Sequence, residues 1–146
     1  MRTNNVRTLY AFGDSFTVNF DEEWTWIRAL GKKLNVNALH NSSAHGVSND
    51  WILLQLRKQL DNITKDDTVI VILTSLQRNW LLEKYPEYSN YSVANLDELI
   101  TKEEASSIKN YVLNIQRDDI DLFRFEHQLA WLKQIQKTIG FNLLVI

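Results

Sequence analysis

A chain of 146 residues is the length of one domain, since domains cluster at about 100–150 residues; 45% hydrophobic and 23% charged residues supply a core and a solvated surface, which excludes disorder and collagen-like repeats. The formal net charge of −2, from 16 basic and 18 acidic side chains, makes no field strong enough to concentrate a polyanion, so nucleic-acid binding through bulk charge is excluded. The absence of cysteine excludes disulfides, thiolate metal sites and a cysteine nucleophile, leaving oxygen or nitrogen for that role.

The opening MRTNNVRTLYAF has no apolar stretch of about 7–15 residues behind its charges, and no run reaches about 18 apolar residues. Neither a secretory leader nor a membrane span is expected, which predicts a cytoplasmic location. Residues 8–12 (TLYAF) read as a buried strand that breaks at Gly13. Asp21 is placed to cap a helix with Glu22 and Glu23 in its first turn, and Trp24, Ile27, Leu30 and Leu34 give it one apolar face. Residues 36–39 form a weaker second strand, followed by the polar loop HNSSAHGVSND. Ser48 or Asn49 caps the next helix, whose stripe is Ile52, Leu53, Leu56, Leu60 and Ile63.

Residues 68–73 (TVIVIL) are the strongest strand, β-branched and apolar at nearly every position, as a central parallel strand covered on both faces would be. From 80 to about 95 the sequence lacks periodicity and holds Pro86, Tyr85, Tyr88 and Tyr91, which predicts a long excursion. Thr101 and Glu104 make a capping box for a helix carrying Ala105, Ile108, Val112 and Ile115. A second helical pattern, Phe125, Leu129, Leu132 and Ile139, ends at Gly140, and residues 141–146 read as a final strand. Strands alternating with helices predict a single α/β domain over 1–146, with a parallel sheet covered by helices on both faces.

In such sheets ligands bind beyond the carboxyl ends of the strands. The loop after the first strand reads YAFGDSFT: Gly13 permits a tight exit, Asp14 can accept from loop amides, and Ser15 faces out at the carboxyl edge. A serine so placed is a candidate nucleophile that needs a base. The same three residues are also ordinary turn chemistry.

F-G-D-S-F directly after an N-terminal strand resembles the first block of the GDSL-type, or SGNH, hydrolases. That resemblance implies a flavodoxin-like three-layer α/β/α fold, ester or acetyl hydrolysis, and Ser15 as the nucleophile. The family's second block, a glycine whose N–H helps hold the oxyanion, is similar in position to Gly46 in NSSAHGVSND. The third block departs from the pattern G-x-N-D: Thr74 stands where the glycine would be and Leu76 where the amide-donating asparagine would be. Thr74 or Ser75 can offer a hydroxyl to the same space, and Arg78 or Asn79 can reach in from further along. The ending T-S-x-x-R resembles a divergent branch common in phage and marine microbial sequences, which implies a phage-encoded protein.

The family's activating histidine and orienting aspartate lie in a D-x-x-H block after the last strand. No D-x-x-H occurs, and the sequence stops at FNLLVI; the resemblance therefore implies a C-terminally incomplete form of the fold, its histidine and aspartate beyond Ile146, with little turnover of its own. Of the three histidines, His45 beside Gly46 is the candidate base within the chain, and His127 reads as a helical surface residue. The substrate class implied is a small-molecule or glycan ester. The alternative is a degenerate, non-catalytic module recognising carbohydrate or protein through Trp80, Tyr85, Tyr88 and Tyr91. The pairs Asp66–Asp67 and Asp118–Asp119 lack convergent ligands and read as solvated turns. With no P-loop, G-x-G-x-x-G or H-E-x-x-H, neither a cofactor nor a metal is expected.

Overall fold

Along residues 8–13 buried side chains alternate between two faces, and that alternation makes this segment the centre of the sheet. In the computed structural model, which describes residues 7–18, 25–81 and 100–146, β1 (Thr8–Gly13) pairs in parallel with β2 (Ala38–Ser43) on one side and β3 (Thr68–Val71) on the other. β4 (Asn142–Val145) adds in parallel to β3, giving the order β2-β1-β3-β4. Between them lie α1 (Trp26–Leu34), α2 (Asn49–Gln59, continued by a 3-10 turn at Leu60–Asn62), α3 (Lys102–Asn114) and α4 (Asp118–Ile139). This is the flavodoxin-like α/β/α arrangement.

Each face of the sheet has its own core. Leu9, Ala11, Ile70 and Ile72 pack with Ile27 of α1 and with Leu30, Leu34 and Val36. Tyr10, Phe12, Val69 and Val71 pack on the opposite face with Ile52, Leu53 and Leu56 of α2, Leu132 of α4 and Phe141. β1 and β3 are covered on both faces, which is why their sequences are near-continuous apolar runs. No helix among the described residues is long and apolar enough to cross a membrane.

Local chemistry sets the helix ends. The Ser48 hydroxyl accepts from the Trp51 N–H at 3.3 Å and caps α2. Thr101 and Glu104 form the reciprocal capping box of α3, and α4 ends at Gly140 with φ of 89°, a left-handed conformation that glycine adopts without strain. The described part of α1 begins at Trp26, so the expected cap at Asp21 and the residues Glu22 to Trp24 lie outside the described residues, as do Tyr85, Pro86, Tyr88 and Tyr91.

Two expectations are corrected. The second strand is not at 36–39 but at Ala38–Ser43, and residues 40–43, read as loop, pair with residues 10–13 of β1. β2 is an edge strand, where backbone pairing with β1 carries His40, Asn41, Ser42 and Ser43 without the apolar signature of a central strand. Asp67 is not solvated: it is buried, and its carboxylate accepts from the Thr8 N–H at 2.7 Å, the Thr64 N–H at 2.8 Å and the Thr64 hydroxyl at 2.9 Å. It ties the start of β1 to the turn before β3. Asp118 and Asp119 are exposed in the first turn of α4, where carboxylates are favourable.

Asp67→Ala leaves three donors without an acceptor and is expected to lower stability by about 1–3 kcal/mol or more, read from urea denaturation. An unchanged midpoint would contradict the role given to Asp67. Burial, with the nearby Asp67 carboxylate adding to it, pushes the Tyr10 phenol above its ordinary value of 10.0. As pH rises past about 10 the unfolded chain ionises first, so stability falls there. Tyr10→Phe is expected to flatten that alkaline decline while losing the hydroxyl's 3.1 Å bond to the Asn62 carbonyl.

Candidate active site at the carboxyl edge of the sheet

β1 and β3 are neighbours in the sheet, yet the chain leaves β1 toward β2 on one side and β3 toward β4 on the other. Their carboxyl ends therefore flank the crevice in which open parallel sheets bind ligands. Three loops meet at this edge.

In the loop after β1, Asp14 is buried and its carbonyl accepts from the Thr17 N–H at 3.0 Å and the Thr17 hydroxyl at 2.8 Å, while Oδ1 accepts from the Phe16 N–H at 3.1 Å. Asn41 Nδ2 donates to the Thr17 carbonyl at 2.7 Å, and Trp26 Nε1 to the Phe16 carbonyl at 3.0 Å. A Cβ on Gly13 would come within 2.6 Å of Thr17 Oγ1 and 3.0 Å of Ile72 Cβ, so glycine is required for the turn to close against β3. The outcome is a fixed turn with Asp14 and Thr17 buried and Ser15 exposed. The Ser15 N–H has no acceptor among the described residues.

The loop after β2 is joined to the first by the Ala44 N–H, which donates to the Gly13 carbonyl at 3.3 Å. His45 is exposed in the turn that follows, and Gly46 has φ of 68°, which favours glycine. The Gly46 N–H also has no acceptor among the described residues. Val47 and Ser48 are fully buried and lead into α2.

The loop after β3 is anchored by Asn49, whose Oδ1 accepts from the Thr74 N–H at 2.7 Å and whose Nδ2 donates to the Thr74 carbonyl at 3.1 Å. The Arg78 N–H then returns to the Ser75 carbonyl at 3.1 Å, and Arg78 Nη1 reaches Asp14 Oδ2 at 3.3 Å. Beyond it, Asn79 is buried; its Oδ1 accepts from Arg124 of α4, and Arg124 lies 3.7 Å from Asp121. Gln116 bridges Asp121 and the Gln77 carbonyl at 2.8 and 2.9 Å. A concavity of about 340 Å³, lined by Ser75, Leu76, Gln77, Asp118 and Asp121, opens between this loop and the start of α4.

The edge thus brings together the loops of Asp14, Ser15, His45, Gly46, Thr74 and Ser75. Ser75 is exposed, and its hydroxyl accepts a 3.4 Å contact from the Gln77 N–H. Among the described residues no histidine is hydrogen-bonded to Ser15. His40 Nε2 is bonded to Ser42 Oγ at 3.0 Å beside the Tyr10 and Phe12 rings, and His127 is exposed on α4 with Nδ1 2.8 Å from the Phe123 carbonyl. No group of three or more His, Asp or Glu among the described residues could hold a metal ion.

Sequence reading did not find Asn49 as the clamp on the β3 loop. A signal was present, because Asn49 lies three, four and seven residues before Ile52, Leu53 and Leu56 and shares their buried face. The chain matches no family model and no curated protein.

Asn49→Ala removes the partner of both the N–H and the carbonyl of Thr74 and is expected to cost about 1–3 kcal/mol in urea denaturation. Asn49→Asp should recover part of this, since it restores the acceptor alone. Equal stability of wild type and Asn49→Ala would show that the clamp contributes nothing.

Proposed function

We propose that this edge is a serine hydrolase site acting on an ester or acetyl group. The observation that carries the proposal is the pairing of an exposed Ser15, on a turn held by the buried Asp14 and Thr17, with two backbone N–H groups, of Ser15 and Gly46, that lack acceptors among the described residues. N–H groups without a protein acceptor, on two loops joined by the Ala44–Gly13 bond, are available to a developing oxyanion. The F-G-D-S-F resemblance supports the same assignment.

In the proposed reaction Ser15 Oγ bonds to the carbonyl carbon as its proton passes to a base, and the carbonyl π pair moves onto oxygen. The Ser15 and Gly46 N–H groups donate to that oxygen, with the Thr74 or Ser75 hydroxyl beside them. Collapse expels the alcohol or amine, which takes the proton from the base, and water then frees the acyl group from Ser15. Asp14 holds the turn. His45, one residue past the Ala44–Gly13 bond, is the candidate base among the described residues.

A second proposal, a non-catalytic module binding carbohydrate or protein, is favoured by one observation: no histidine is bonded to Ser15 among the described residues. A fluorophosphonate probe separates the two, because it forms a bond only with an activated serine. Labelling mapped to Ser15 and abolished in Ser15→Ala is expected. Absence of labelling, with glycan binding that survives Ser15→Ala, would establish the module instead. His45→Ala is expected to slow labelling by about 10²-fold; an unchanged rate removes His45 from the mechanism and leaves Ser15 in it.

A further inference from the structure

The loop after β3 has Leu76 where the F-G-D-S-F resemblance implies an amide donor to the oxyanion, and four polar residues around it, Thr74, Ser75, Arg78 and Asn79, are candidates to fill the gap. Asn79 is committed elsewhere: it is 3% exposed, with Oδ1 accepting from Arg124 and Nδ2 donating to the Gln77 carbonyl at 3.3 Å. The backbone of Thr74 is clamped by Asn49, and the Ser75 hydroxyl accepts from the Gln77 N–H at 3.4 Å. Arg78 differs from these three. Its guanidinium lies against the residue that precedes Ser15, through the 3.3 Å contact of Nη1 with Asp14 Oδ2, and its side chain is 26% exposed. A guanidinium carries five N–H donors. Among the described residues Asp14 is the one side-chain partner of Arg78, so further donors remain for a ligand at the crevice.

We propose that Arg78 is a catalytic residue that donates to the oxyanion formed at Ser15, in place of the missing side-chain amide. The inference rests on the hydrolase proposal and adds a residue to it. Two features of the geometry fit this role better than recognition of an anionic substrate. The Asp14 carboxylate, 4% exposed, already balances the guanidinium, so the pair presents little net charge to attract a permanent anion from a distance. Its spare N–H donors still act at hydrogen-bond range, where charge appears on the carbonyl oxygen as the Ser15 Oγ–carbon bond forms. The substrate class that follows is an uncharged ester or acetylated alcohol. Asp14 is a positioning residue: its Oδ2 fixes the guanidinium while Oδ1 fixes the turn through the Phe16 N–H.

The test is the rate of fluorophosphonate labelling of Ser15, where the phosphoryl oxygen takes the place of the carbonyl oxygen, the Oγ–phosphorus bond forms as the hydroxyl proton passes to the base, and the phosphorus–fluorine bond breaks to release fluoride. Arg78→Met is expected to slow labelling by about 10²–10³-fold, the size of one lost oxyanion donor. If Arg78 serves only to neutralise Asp14, removing both charges in Asp14→Asn/Arg78→Met restores the rate. If it donates to the oxyanion, the double variant stays as slow as Arg78→Met. Circular dichroism checks folding, and should Arg78→Met fail to fold, Arg78→Lys carries the test: it keeps the pairing with Asp14 but loses the planar fork, and slower labelling is expected. Wild-type rates in Arg78→Met or Arg78→Lys, or a restored rate in the double variant, would overturn the role of Arg78 while leaving the hydrolase proposal standing. No labelling of Ser15 in the wild type would overturn both.

Discussion

Burying a carboxylate is costly unless its charge is paired and its oxygens are filled, and Asp14 meets that condition at the point where three loops of the sheet converge. Its carbonyl binds Thr17, Oδ1 binds the Phe16 N–H, and Oδ2 faces Arg78 across the end of β3. Together these bonds constrain two pieces of the edge. The first two shape the turn that leaves Ser15 exposed, and the third draws the β3 loop toward that turn. Gly13 makes the arrangement possible, since any side chain there would collide with Thr17 and Ile72.

The rest of the fold serves to bring these loops to one place. β1 and β3 lie side by side because both carry apolar residues toward two separate cores, one closed by α1 and the other by α2 and α4. The two cores hold the strands in register, so the turn at 14–17 and the loop from Thr74 onward begin at adjacent points. Asn49 couples this to α2: the helix that covers one face of the sheet also clamps Thr74 by two hydrogen bonds. Ser48, fully buried one residue earlier, caps the same helix. Packing and loop geometry are therefore set by a single short segment.

Much of this was legible in the sequence. The apolar runs at 8–12 and 68–73 specify central strands because a strand covered on both faces must be apolar at successive positions. The capping box at Thr101 and Glu104 and the glycine at 140 specify helix ends because their chemistry is local. What escaped was set by tertiary contact. The bounds of β2 are not legible because an edge strand gains its hydrogen bonds from a neighbour and does not need an apolar pattern. The burial of Asp67 is not legible because a carboxylate in a turn carries no sign that a strand start and a threonine will converge on it. At the site, the glycines at 13 and 46 and the serine at 15 were visible as residue types, whereas the Asp14–Arg78 contact joins positions 64 apart and depends on the sheet order.

The reaction proposed for this edge passes through a bond between Ser15 and an acyl group. The most direct measurement is rapid acid quench of the protein after brief exposure to a short-chain activated acetyl ester, followed by peptide mass mapping. One acetyl group per chain is expected, located on the peptide carrying Ser15 and absent from Ser15→Ala. Acetyl groups scattered over surface lysines in equal amounts in both proteins, with none on Ser15, would contradict it.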